Sequence, residues 1–282
     1  MTNLQLTLFG MTDVGRVRKN NEDAFVVADL GTTERVHAMA SSATFEVGER
    51  GVLVAVSDGM GGAQSGEVAS FLALRSLRLG MSEGSPSGAG VALQNSVEGA
   101  NKNVWDFARA AGKQGMGATL TAMLVHGLCA YIAEIGDSRA YLLRGDALVQ
   151  LTRDQSYVQF LVDRGAITPE QAGVSDYKNI VLQALGTHAE VAVAMLRVTL
   201  RRNDRFLLCS DGLTNMVPDA ELHAILRGAS PEAVCTALIA TANARGGQDN
   251  ITAIVVDVGG DAAPVATAGD RISVDAIQPM SA

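Results

Sequence analysis

Cysteine is scarce in this sequence. Cys129, Cys209 and Cys235 are an odd number, widely spaced, with no Cys-x-x-Cys. That excludes a disulfide framework and fits a reducing compartment. Positive charge is also in the minority: 22 Lys and Arg stand against 30 Asp and Glu, a net charge of −8, with no basic run. Nucleic acid is thereby excluded as a partner. No apolar run is long enough to span a membrane. Leu120 to Ala133 comes nearest, and His126-Gly127 breaks it into two strand-length pieces that read as a hairpin. Met1 to Gly10 has neither a charged start nor a long apolar stretch, so it does not read as a signal peptide. The expectation is a soluble, cytoplasmic monomer with no membrane contact. There is no Gly-x4-Gly-Lys loop, so an NTPase reading fails. His37, His126, His188 and His223 all stand away from acidic clusters, which disfavours a histidine metal site.

Across 282 residues, 48% of them hydrophobic, the chain can bury a sizeable core without staples. Strand patterns cover 4–9, 23–28, 51–57, 118–125, 128–135, 139–143, 193–200, 205–209 and 251–258. Helical patterns cover 65–79, 91–111, Asp219 to Leu226 and Pro231 to Ala244. Thr168-Pro169-Glu170-Gln171 carries a capping box, and Ser230-Pro231 a cap with proline at the first helical position. Residues 29–50 read as a loop or irregular hairpin, and 82–90 as a surface linker. Strands in runs and helices in pairs predict antiparallel sheets covered by helices, an α+β architecture. A single domain over 1–258 is expected, followed by a weakly ordered Ala- and Gly-rich tail over 259–282.

Two apolar runs end alike. Val54-Ala55-Val56 runs into Ser57-Asp58-Gly59, and Leu207-Leu208-Cys209 into Ser210-Asp211-Gly212. Asp-Gly marks turns. A carboxylate delivered by a buried strand also calls for a cation, and the following glycine lets a carbonyl reach the same ion. Other acids are placed in the same way: Glu22-Asp23 before a strand, Asp137 in Gly136-Asp137-Ser138, and Asp249 in Gln248-Asp249-Asn250. Acids gathered at one sheet edge repel unless cations hold them, and an oxygen-only set selects Mg²⁺ or Mn²⁺. Such a two-ion site activates water and stabilises displacement at phosphorus. Arg18 is a candidate phosphate ligand and equally a solvated member of the basic stretch with Arg16 and Lys19.

The segments TDVGRVRKNNEDAF (12–25), VAVSDGMGG (54–62), SGEVAS (65–70), GATLTAMLV (117–125), IGDSRAYLLR (135–144), LTRDQS (151–156), FLLCSDGL (206–213) and GGQDNITAIVV (246–256) stand in a telling order. Together they resemble the metal-dependent type 2C Ser/Thr protein phosphatases in their bacterial form. The resemblance implies a β-sandwich flanked by helix pairs, in four layers, with two Mn²⁺ or Mg²⁺ ions at one end. It implies hydrolysis of phosphoserine and phosphothreonine by direct attack of a hydroxide bridging the ions. The partners it implies are phosphorylated proteins and an opposing Ser/Thr kinase. By position, Arg18 matches the phosphate-binding arginine, Asp58 the bridging aspartate, and Gly59 the carbonyl ligand. Asp211 and Asp249 match further carboxylates on the first ion, and Glu22 and Asp23 the acidic pair serving the second. Asp137 matches the aspartate of a weaker third ion, and Asn250 is expected to orient Asp249.

None of the cysteines is followed by arginine at Cys-x5-Arg, so a cysteine-nucleophile phosphatase is excluded independently. Met60, Ala63 and Gln155 stand where relatives carry histidines, which leaves the general acid unassigned, with water on a metal as the default. The flap, from about 156 to 186, lacks the usual basic cluster and reads Ser175-Asp176-Tyr177-Lys178-Asn179. Two other readings share the site: a non-catalytic binder of phosphoproteins or of a kinase, and a hydrolase of small phosphate esters.

Overall fold

The computed structural model describes residues 3–32, 35–62, 65–83, 88–267, 270 and 272–277. In chain order the first elements are β1 (Gln5–Asp13), β2 (Asp23–Asp29), β3 (Arg35–Val36), β4 (Ala43–Glu46), β5 (Val52–Met60), α1 (Ser65–Glu83) and α2 (Ala89–Ala110). Next come β6 (Gly117–Ala118), β7 (Leu120–His126), β8 (Cys129–Ile135), β9 (Arg139–Arg144), β10 (Ala147–Gln150), α3 (Tyr157–Asp163) and α4 (Pro169–Gly173). The last are β11 (Ala194–Thr199), β12 (Arg205–Cys209), α5 (Asp211–Thr214), α6 (Asp219–Leu226), α7 (Pro231–Ala244), β13 (Ile251–Gly259) and β14 (Val274–Ile277).

Two antiparallel sheets result. One runs β10-β9-β12-β13-β1-β4, and the other runs β14-β11-β8-β7-β5-β2-β3 with β6 attached to β5. Side-chain alternation sorts the strands into three cores. Val52, Val54 and Val56 of β5 face the other sheet and join Leu6, Leu8, Phe206 and Ile254. Leu53 and Ala55 face the opposite way, against Leu74 and Leu77 of α1 and Val97 and Val104 of α2. A third core packs Leu207, Ile251 and Val255 under Leu222 of α6 and Leu238 of α7. The α+β sandwich in four layers is therefore the architecture, and β5, covered on both faces, reads as an unbroken apolar run for that reason.

Antiparallel pairing also sets where the acids go. In the eight-stranded sheet Asp23 begins β2 directly opposite Asp58 near the end of β5. In the six-stranded sheet, the end of β1, the start of β13, the end of β12 and the start of β9 lie side by side. Each acid stands at such a junction, so distant segments deliver carboxylates to one end of the sandwich.

The helices expected at 219–226 and 231–244 have those bounds, and Ser230 Oγ accepts from the Ala233 amide. Both halves of the Thr168–Gln171 box form. Three stretches differ from expectation. Residues 29–50 carry β3 and β4, and β4 pairs with β1 through Leu6 and Phe45. Helix α1 continues to Glu83, past the expected end at Leu79, and residues 84–87 of the expected linker lie outside the described residues. The 259–282 segment carries β14, which pairs with the free edge of β11 and adds an Arg197–Asp275 ion pair. Among the described residues no helix is long and apolar enough to cross a membrane.

Candidate active site

A cavity of about 370 Å³ opens at the acidic end of the sandwich, lined by Arg18, Glu22, Asp58, Gly59, Asp137, Asp211, Asp249 and Asn250. The sequence-named residues therefore meet in one place, with one qualification. Asp23 does not line the cavity but lies buried beneath it, as the ladder partner of Asp58.

The Arg18 loop is fastened by close approach. Arg16 N–H donates to the Gly247 carbonyl at 2.7 Å. Gly15 has φ +81°, and a Cβ there would stand 2.2 Å from the Asp249 carbonyl oxygen, so no side chain fits. Asn250 joins the two segments. Its Oδ1 accepts from the Glu22 amide at 2.8 Å, and its Nδ2 donates to the carbonyls of Val14 and Asn20 at 2.9 Å. Its own amide donates to Asp249 Oδ1 at 2.8 Å. Asn250 thus orients Asp249 through its backbone and holds the Arg18–Glu22 loop through its side chain. Asn250→Ala keeps the bond to Asp249 but releases the Glu22 amide and the Val14 and Asn20 carbonyls, and it is expected to weaken Mn²⁺ binding about 10–100-fold, as loss of a partner that positions a metal-site segment does. Calorimetric titration of the variant checks this.

The serines of the two Ser-Asp-Gly turns hold the site from behind, a role the sequence reading did not assign. Ser57 Oγ donates to the Thr119 carbonyl at 2.6 Å, and Thr119 Oγ1 receives the Asp58 amide at 3.0 Å. Ser210 Oγ donates to Asp23 Oδ2 at 2.6 Å. The repetition of Ser before both Asp-Gly pairs was the available signal.

Electrostatically the cluster is unfavourable on its own. Burial, then repulsion from Asp23 and Asp211, pushes the Asp58 carboxyl well above the usual carboxylate range. Burial, then Asp211, does the same to Asp137. Asp23 is raised to about 7 by burial against the opposing Ser210 hydrogen bond, and Asp211 to about 6 by burial and then Asp249. Glu22 is raised by burial, with Arg18 opposing. Arg18 Nη2 donates to Asp249 Oδ2 at 2.7 Å, and the arginine side chain is about half exposed.

This donor set fits divalent cations. Asp23 Oδ1 and Asp211 Oδ1 are buried with no hydrogen-bond partner. A Cβ placed on Gly66 would stand 2.4 Å from Glu22 Oε2 and 2.7 Å from the Gly59 carbonyl oxygen, so these two oxygens flank one point. Oxygen donors of this kind suit Mg²⁺ or Mn²⁺. Among the described residues no three acidic side chains already form a closed ligand set.

Of the three histidine replacements, Met60 lines the cavity. Gln155 does not; its Oε1 accepts from the Gly136 amide at 3.0 Å and its Nε2 donates to the Glu134 carbonyl at 3.3 Å, which fixes the Asp137 corner. Ala63 lies outside the described residues. The flap contributes Asn179 and Val181 to the cavity wall. Glu134, which the sequence reading passed over, is buried in the sandwich with its carboxyl pushed well above the usual range by burial, against a hydrogen bond from Thr121.

A family model described as Protein phosphatase 2C matches residues 40–255. The serine/threonine phosphatase stp of Listeria innocua is 37% identical over 252 residues, covering 87% of this chain and 93% of that protein. The serine/threonine protein phosphatase PstP of Mycobacterium tuberculosis is 38% identical over 259 residues, 90% of this chain and 45% of that longer protein. A crystal structure of a PstP catalytic domain in complex with two manganese ions superposes with TM-score 0.76 at 35% identity, covering 91% of this chain and 99% of that one.

Proposed function

The chain belongs to the protein phosphatase 2C family, and on that premise we propose that it hydrolyses phosphoserine and phosphothreonine in proteins, opposing a Ser/Thr kinase. The observation that carries this is one cavity lined together by Arg18, the five carboxylates Glu22, Asp58, Asp137, Asp211 and Asp249, and Gly59. We assign Asp58, Gly59, Asp211, Asp249, Glu22 and, from beneath, Asp23 to two Mn²⁺ or Mg²⁺ ions, and Asp137 to a weaker third. Bound there, such ions supply Lewis acidity that makes hydroxide available at neutral pH and offsets phosphate charge.

The chain's own groups do the rest. Arg18 presents guanidinium donors at the cavity mouth, suited to two nonbridging phosphate oxygens. Asp249 holds that guanidinium in place. Asn250 keeps the arginine loop on the carboxylate loop. Thr119 fixes the height of Asp58 by exchanging backbone and side-chain bonds with it. Among the described residues no imidazole lines the cavity, and water that the ions would hold there is the default donor to the leaving serine or threonine oxygen. Residues 1–258, with β14 added at the sheet edge, form the catalytic unit, acting as a cytoplasmic monomer.

The test is phosphate release from a phosphothreonine peptide and from a small phenyl phosphate. Turnover is expected to vanish on chelation and return with Mn²⁺. Phosphorylated metabolites are expected to turn over more slowly than the peptide at equal concentration. Turnover indifferent to chelation overturns the reading.

A further inference from the structure

We propose that a second cavity, at the C-terminal end of α2, is a regulatory site for a small planar aromatic carboxylate. The cavity measures about 380 Å³ and is lined by Trp105 and Arg109 of α2, by Gly115, and by Gly186 and Thr187 at the end of the flap. Its volume suits a ligand of one or two rings. Trp105 is the chain's one tryptophan, and the Arg109 guanidinium lies over its ring at 5.2 Å. Arg109 forms no ion pair among the described residues, and the nearest acid on its helix, Asp106, is held by Lys102. An indole carrying a guanidinium that has no acidic partner recognises a flat apolar body packed against the guanidinium–indole pair, and a carboxylate through the guanidinium's in-plane N–H donors. The net charge of −8 makes an unpaired arginine at a cavity rim a local exception to the surrounding field.

The walls connect this cavity to the catalytic end. A Cβ on Gly61 would stand 2.9 Å from the Gly115 carbonyl oxygen and from Met116 Cα, so the turn after Met60 rests on the segment that floors the cavity. Two residues on, Gly117 and Ala118 pair with Met60 and Gly59. Ala118 also bridges to Leu185 of the flap. Gly186 is fastened to α2: its amide donates to Asn101 Oδ1 at 2.8 Å, and a Cβ on it would stand 2.3 Å from Val104 Cγ1. An occupant pressing on Gly115 and Thr187 therefore bears on both the Gly59 turn and the flap end. Coupling between two sites requires a shared element of this kind.

The experiment titrates ¹⁵N-labelled full-length protein, without metal or substrate, with 2-naphthoate and with its neutral counterpart 2-naphthylmethanol. The single indole N–H resonance of Trp105 reports occupancy. Naphthoate is expected to shift it saturably with Kd of about 1 mM or tighter. The alcohol, and naphthoate with the Arg109→Gln variant, are expected to bind at least about tenfold more weakly. The Gly61 and Gly186 amides are expected to shift with the same Kd. An indole resonance that does not move saturably, equal affinity for acid and alcohol, or unmoved Gly61 and Gly186 amides at saturation would each overturn the proposal. Because the readout needs no turnover, its failure is distinct from failure of the phosphatase reading.

Discussion

Asp58→Asn is expected to lower turnover of a phosphothreonine peptide by at least about a thousandfold and, at the same time, to stabilise the chelated protein. Asp58 is assigned to both ions, so the substitution removes a shared anionic ligand. The catalytic contribution of such ions is several kcal/mol, and about 4 kcal/mol corresponds to the thousandfold loss. Calorimetry is expected to find fewer than two Mn²⁺ bound. The stability effect has the opposite sign because Asp58 sits opposite Asp23 in the ladder and is repelled by Asp23 and by Asp211, which lines the same cavity. Without a cation these charges repel in a poorly solvated place. An amide of the same shape removes one of them and leaves the Asp58 backbone bonds to Thr119 intact. A rise in melting temperature of roughly 5 °C in chelator is expected. Wild-type turnover in Asp58→Asn, or a lower melting temperature without metal, would refute the assignment.

That pairing of effects explains why so much of the site could be read from the sequence. A carboxylate at the end of an apolar strand is costly unless a cation answers it, so residue type and position already pointed to metal. Antiparallel alternation then put Asp23 and Asp58 at the same edge, and Asp211, Asp137 and Asp249 at junctions beside it. What stayed hidden depends on contacts between segments far apart in sequence. Asn250 meets Val14, Asn20 and Glu22 some 230 residues upstream, and nothing local to Asp249-Asn250 indicates those partners. Gln155 was weighed only as a missing histidine, whereas its amide clamps the Gly136 backbone. The tail illustrates the same limit. Its composition argued for weak order, yet Val274 and Ile277 supply enough apolar surface to join the open edge of β11, with Ile277 packing against the helix-side core. Local polarity cannot reveal that an unpaired strand edge waits elsewhere in the fold.

At the end of the sheet remote from the cavity, Asp204→Ala is expected to show the inverse pattern, a large loss of stability with catalysis per folded molecule unchanged. Arg144, closing β9, is 7% exposed at its side chain and Asp204 is 0% exposed. The guanidinium donates through Nε to Oδ1 at 2.7 Å and through Nη2 to Oδ2 at 2.6 Å, and Nη2 also reaches the Thr199 carbonyl. Asp204 Oδ2 in turn accepts the Arg201 amide at 2.8 Å, holding the turn in which Asn203 adopts φ 68°. Here the opposing charge is built into the chain, so the pair needs no ion. Removing the aspartate strands a buried guanidinium, at a cost of about 3–5 kcal/mol. For a chain of this size that lowers the melting temperature by roughly 10 °C. The double variant Arg144→Met/Asp204→Leu is expected to recover most of the loss, since paired burial contributes little beyond well-packed apolar side chains. Mn²⁺ stoichiometry should remain that of the parent in both variants, measured below their melting temperatures. A variant that loses metal along with stability would instead couple the two ends of the sandwich, contrary to a site whose ligands all stand at one edge.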